Sequence, residues 1–125
     1  MNKYDLEVKV KVRLTDEDID DIMVAALEGG IGYWVRKAEV VGDYLGYYAS
    51  DQISRGGSLL LHDAEEDEIY ELTLENFIEG FKLWIAGGYA SAQAIEEGIV
   101  DCMYIDAADA DVIVQLALFG EILFS

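Results

Sequence analysis

Proline is absent from this chain of 125 residues, and cysteine and histidine occur once each, as Cys102 and His62. A single thiol cannot close an internal disulfide, which fits a reducing compartment. One Cys and one His also leave no ligand set for structural zinc, which in practice draws four such side chains. No apolar run approaches the roughly 18 residues that a bilayer-spanning helix needs. Nor does the opening "MNKYDLEVKVKVRL" read as a secretory leader: charged and apolar residues alternate from Asp5 onward, where a leader carries a continuous apolar centre. A cytoplasmic address without membrane contact is the expectation.

Positive charge is the scarcest commodity. Eight Lys and Arg stand against 26 Asp and Glu, a formal net charge of -18. Such a surface repels phosphate, so direct binding of nucleic acid or of free nucleotides is disfavoured, while a basic protein surface is attracted. The glycine pairs at 29, 56 and 87 follow helices or precede a strand and lack the lysine of a phosphate-cradling loop, so they read as stops. No cofactor is expected.

What is present is strongly patterned. Leu6, Val8, Val10, Val12 and Leu14 alternate with Glu7, Lys9, Lys11 and Arg13, the period of a strand with one buried face; its cationic face is either solvated or paired with acidic neighbours. "TDED" at 15–18 is a capping box opening a helix over Asp16 to Glu28, stopped by Gly29 and Gly30. "IGYWVRKAEVV" alternates imperfectly and reads as a strand, "DYLGYYASDQIS" as a short helix, and "SLLLHDAEEDEIYEL" as a hairpin around an acidic surface loop, Ala64 to Asp67. Thr73 caps a helix with a wide apolar stripe, Leu74, Phe77, Ile78, Phe81, Trp84 and Ile85, ending at Gly87 and Gly88. A short helix over Ser91 to Glu97 and an extended "IVDCMYI" follow. Asp106 and Asp109 then box the start of a last, largely buried helix that runs to Gly120. The sum is one α+β domain over residues 1–125: a small antiparallel sheet, made of the N-terminal strand and a central hairpin, packed against about four helices. The apolar surplus of the last two long helices adds the expectation of a homodimer.

Chemistry is thinly provided for. Cys102 has no evident base beside it, and His62, next to Asp63 at a strand end, reads as a strand residue rather than a general base. "DAADAD" (Asp106, Asp109, Asp111) is dense in carboxylate but lacks the glycine and distal glutamate of a calcium loop, and capping already accounts for two of the three. No metal is expected. The densest amphipathic surface lies at residues 28–57, with one tryptophan and four tyrosines. Tyr and Trp offer large, rigid contact area with a polar tip, which suits an interface or a pocket. Adjacent Tyr47 and Tyr48 diverge by about 100° on a helix, so one of them should be exposed, whereas Trp34 should be buried.

At "LTDEDIDDIMVAALEGGIGYW", "YASDQISRGGSLLLHDAEEDEIYELTLENFIEGF" and "DAADADVIVQLALFGEILF" the chain resembles a widespread family of small acidic proteins from phages and prophages of gut Firmicutes, over about Leu14 to Phe124. Where that family more often carries asparagine this chain has Gly32, and where it more often carries cysteine this chain has Val35, so a ligand using those polar groups would have lost them here. The resemblance implies a mobile-element origin and a bacterial host cell, and no reaction. Small acidic phage proteins are frequently inhibitors of host nucleases or defence systems, which by analogy gives the leading reading. In it the chain is a non-catalytic acidic binding protein, a DNA mimic or a plug, that meets a basic host nuclease or defence protein through Tyr47, Tyr48, Glu65, Glu66 and Asp67. The alternative is a small-molecule binder or enzyme whose pocket is lined by Trp34, Tyr48, Gln52, Asp106, Asp109 and Asp111.

Overall fold

The three capping signals all operate in the computed structural model, which describes residues 2–125. Thr15 Oγ1 accepts from the Asp18 N–H at 3.1 Å and the Asp18 carboxylate accepts from the Thr15 N–H at 3.0 Å, opening helix α1 (Asp16–Ala25). Thr73 with Asn76 opens α2 (Leu74–Ala86), and Asp106 with Asp109 opens α3 (Ala107–Phe119). α1 buries Ile19, Ile22 and Met23 and runs on into a wider π-helical turn, Ala26–Gly30. Gly30 is therefore more than a stop. A Cβ there would lie 2.5 Å from the Ala107 carbonyl, so the missing side chain lets this turn approach the start of α3.

The sheet has three antiparallel strands in the order β1 (Val35–Val40), β2 (Ser58–Asp63), β3 (Ile69–Thr73). Leu59, Leu61 and Leu72 are fully buried on the face turned to the helices. Between Val35 opposite Asp63 and Lys37 opposite His62 the register shifts, leaving Arg36 as an extra residue in β1. That bulge explains the imperfect alternation of the sequence: Trp34 and Val35 are both buried, Arg36 and Lys37 both exposed. α2 and α3 pack together, closely enough that Gly80 meets the Ala117 N and Ile113 O of α3 with no room for a side chain. Phe77, Phe81 and Trp84 are buried, so most of the α2 stripe is covered within the chain; Ile78 and Leu83 stay partly exposed.

Four expectations are corrected. The N-terminal segment is extended but joins no sheet: only Arg13 pairs, as a parallel bridge to Ile99. Its alternation specifies a local conformation and one face to cover, not a neighbour. The helix expected over 43–54 is a loop with one 3₁₀ turn, Ala49–Asp51, because side chains take the backbone groups a helix would need. The Gln52 amide spans Leu45 N, Val41 O and Asp43 O, and the Asp51 carboxylate accepts from Tyr47 N and Tyr48 N. In place of the helix over Ser91 to Glu97 stands a two-residue hairpin, β4 (Ile95–Glu96) and β5 (Ile99–Val100). Glu97 and Gly98 have φ of 52° and 76°, the left-handed pair that a tight hairpin turn requires, and this overrides the helix propensity of "ASAQAIEE". Three helices longer than a single turn, not about four, are therefore found among the described residues.

Candidate aromatic and carboxylate cleft

The turn that feeds β1 holds the first wall. Trp34 N and Val35 N both donate to the Ile31 carbonyl, which presents Tyr33 and Trp34 side by side toward α3. Trp34 is 2 % exposed, and its indole N–H donates to Asp111 Oδ1 at 2.8 Å. The Tyr33 hydroxyl donates to Asp111 Oδ2 at 2.6 Å. One helical turn on, Gln115 donates to Asp111 Oδ1 at 3.0 Å, while its own Oε1 accepts from Leu123 N and Phe124 N, both at 2.8 Å. Those two bonds fold the segment after α3 back over the cleft. There the Phe124 ring stacks on Trp34, centroids 4.8 Å apart and planes 5° from parallel, and Tyr70 and Phe119 tilt around the same indole.

The second wall is the β2–β3 turn. Asp63, 4 % exposed, accepts from Glu65 N at 2.9 Å, from Glu66 N at 3.0 Å and from the Tyr70 hydroxyl at 2.8 Å. The two backbone donors, then the phenol, hold its carboxyl below the usual carboxylate range. Ala64 N donates to the Trp34 carbonyl at 2.8 Å and ties the loop to the first wall. Tyr33 and Tyr70 are both pushed up to about 12, by burial first and then by the carboxylates they donate to, so each phenol is a fixed donor rather than a base. Between the walls lies a cavity of about 480 Å³ bounded by Tyr33, Trp34, Tyr70 and Phe124 and by Asp63, Glu65 and Glu66. Aromatic surface beside carboxylates is chemistry that suits a cation: ring faces attract it by their quadrupole and the carboxylates by charge.

Of the residues marked in the sequence, Trp34 and Asp111 are bonded to each other, and Glu65 and Glu66 join Trp34 at one cavity. Asp67 lies next to them on the exposed loop. Tyr48 and Gln52 are elsewhere. Tyr48 lines a separate hollow with Val24 and Leu27, and Gln52 is buried, its amide spent on the loop backbone. Tyr47 and Tyr48 are both exposed, at 93 % and 71 %. Asp106 and Asp109 serve the helix start; burial pushes the Asp109 carboxyl up, against the Asp106 backbone hydrogen bond that lowers it. The pocket expected from Trp34, Tyr48, Gln52, Asp106, Asp109 and Asp111 is thus not brought together.

Sequence reasoning missed Tyr33, Asp63, Tyr70, Gln115 and Phe124. Gln115 carried a usable signal, a lone amide inside the apolar run "VIVQLALF", where a polar side chain must find partners. The single thiol and the single imidazole are otherwise engaged. The Cys102 thiol is pushed up to about 12 by burial and by Asp18, Asp21 and Asp101, and donates weakly to Asp18. His62 sits 2.9 Å from Glu39 across the β1–β2 pair. Among the described residues no three His, Cys, Asp or Glu side chains are placed to hold a metal ion, and no helix is long and apolar enough to cross a membrane. Compared with protein-family models, curated proteins and solved structures the chain matches none, so the resemblance to phage and prophage proteins rests on its three sequence segments alone.

Proposed function

We propose that this chain is an acidic, non-catalytic binding protein of phage or prophage origin that docks on a basic surface of a host nuclease or defence protein. The observation that carries this reading is the cleft. The exposed acids Glu65 and Glu66 line a cavity walled by Tyr33, Trp34, Tyr70 and Phe124, with Asp63 beside them and Asp67 next along the exposed loop. A lysine or arginine side chain entering there meets aromatic rings and carboxylates together, an arrangement worth about 0.5–2 kcal/mol per cation–aromatic contact. The net charge of -18 steers such a partner toward it.

The test is capture from host lysate with the wild type and with a variant carrying Glu65→Lys, Glu66→Lys and Asp67→Lys. A basic protein is expected to be held at about 50 mM salt, released by about 200 mM, and ignored by the variant. The variant's melting should match wild type within about 0.5 kcal/mol, because all three positions are surface-exposed. Equal capture by both proteins at high salt would refute the reading. A second reading is favoured by size: about 480 Å³ falls within the range of ligand pockets. Saturable binding of a free guanidinium or quaternary ammonium compound, abolished by Asp63→Asn, would move the function from a protein partner to a small cation.

A further inference from the structure

The segment with the strongest strand pattern in the sequence has no partner. Among the described residues no backbone hydrogen bond reaches residues 2–12; pairing starts only at Arg13, whose N–H donates to the Gly98 carbonyl at 2.8 Å. Tyr4, Leu6, Val8 and Val10 are 75–80 % exposed, four alternating apolar side chains in a row left in water. An extended segment with free N–H and C=O groups and one apolar face is a template for another strand. Its charge is equally unusual. Residues 2–13 carry Lys3, Lys9, Lys11 and Arg13, half of the cations of the whole chain, against Asp5 and Glu7. With four cations against two acids, this arm is a net positive stretch at which two molecules of charge -18 can meet.

We propose that two copies of this chain associate by pairing these arms, antiparallel and centred on Val8, as a two-stranded ribbon. In that register Asp5 faces Lys11 and Glu7 faces Lys9, twice over by symmetry, and on the other face Leu6 meets Val10 and Val8 meets Val8. The Val8 register keeps its like pair, Lys3 with Arg13, at the two ends of the ribbon, whereas neighbouring registers are worse at the centre. Centring on Lys9 sets Lys9 against itself, centring on Glu7 does the same with Glu7, and a slip by one residue puts apolar side chains opposite charged ones. A parallel in-register pair would stack every like charge. Opposite residues of an antiparallel pair point to the same side, so Leu6, Val8 and Val10 of both copies form one apolar face. In each copy Val8 and Val10 of that face, with Val12, line a groove of about 400 Å³ against Ile78, Phe81 and Ile85 of α2. The ribbon continues this surface across the two-fold axis.

The experiment is sedimentation equilibrium of the full chain up to millimolar concentration, with charge-swapped arms. Wild type is expected to dimerise. Lys9→Glu with Lys11→Glu, and separately Asp5→Lys with Glu7→Lys, turn four opposite pairs into like ones and should each weaken the dimer at least about tenfold. Mixing the two variants makes all four facing pairs at positions 5/11 and 7/9 opposite and should restore a heterodimer. In a Cys102→Ser background, Val8→Cys should form a disulfide-linked dimer under mild oxidation. Arm substitutions lie on exposed side chains, so unchanged melting curves will show that each variant is folded. A wild type that stays monomeric overturns the proposal and assigns the arm to a different protein's strand. A dimer that the charge swaps leave intact, or whose Val8→Cys form does not cross-link, overturns the arm as its interface.

Discussion

Replacing Trp34 by alanine removes the side chain on which the cleft is assembled. The indole is buried, stacks on Phe124 at 4.8 Å, and gives its N–H to Asp111. Truncating a buried tryptophan costs about 3–5 kcal/mol from lost burial and the cavity left behind. The orphaned hydrogen bond to a carboxylate adds roughly 1–2 kcal/mol, partly relieved if water enters. A total of about 4–7 kcal/mol, in a chain of this length, lowers the melting temperature by about 12–35 °C, against an overall stability on the order of 5–15 kcal/mol. Trp34→Phe is the milder change: it keeps a ring against Phe124 but loses the bond to Asp111 and part of the indole's volume, for a cost of about 2–3 kcal/mol. Thermal and urea unfolding followed by far-UV circular dichroism measure both, Trp84 remaining as a fluorescence probe. If Trp34→Ala melts within about 5 °C of wild type, the indole does not anchor the cleft and the reasoning from burial fails.

Asp63 should make stability fall in acid. Its folded pKa lies below the unfolded value, so the ionised form favours the fold; that contribution is complete above the unfolded pKa of about 3.9 and disappears as pH drops through the folded value. Urea midpoints of wild type and Asp63→Asn should accordingly differ from neutral pH down to about pH 4 and converge below it; a gap that widens in acid would contradict the assignment. Cys102, with its thiol pushed up to about 12, should react with iodoacetamide at pH 8 at least about a hundredfold more slowly than in urea-unfolded chain. Equal rates would mean that burial and the carboxylates around it do not control that thiol.

Local signals were legible and distant ones were not. Thr15, Thr73 and Asp106 each find their capping partner three residues on, so a spacing rule read all three helix starts, and the β2–β3 hairpin was written in its alternation and acidic turn. The loop around Tyr44 to Gln52 misled because its helical spacing was real, while the outcome was decided by the Gln52 and Asp51 side chains competing for the same backbone groups. At the arm the period was right and the neighbour missing, since alternation carries no address. The cleft joins Trp34 to Glu65 and Glu66, which the sequence placed in two competing hypotheses, because the bond from Ala64 N to the Trp34 carbonyl that ties the loop to this wall is long-range and no local pattern encodes it.

Long-range closure of the cleft also has a kinetic meaning. The bonds that close the first wall join positions 77, 78, 82 and 91 residues apart. Closing a loop of about 80 residues costs roughly 2 kcal/mol more entropy than closing one of about 8, so these bonds add little until the β1–β3 hairpins and α2 have drawn the ends together. Interactions that form after the barrier govern the rate of unfolding rather than of folding. Cleft substitutions will therefore shorten the lifetime of the folded chain while leaving its speed of refolding nearly intact. During synthesis, the aromatic wall at Trp34 waits in water, unstacked, until Gln115 and Phe124 have left the ribosome.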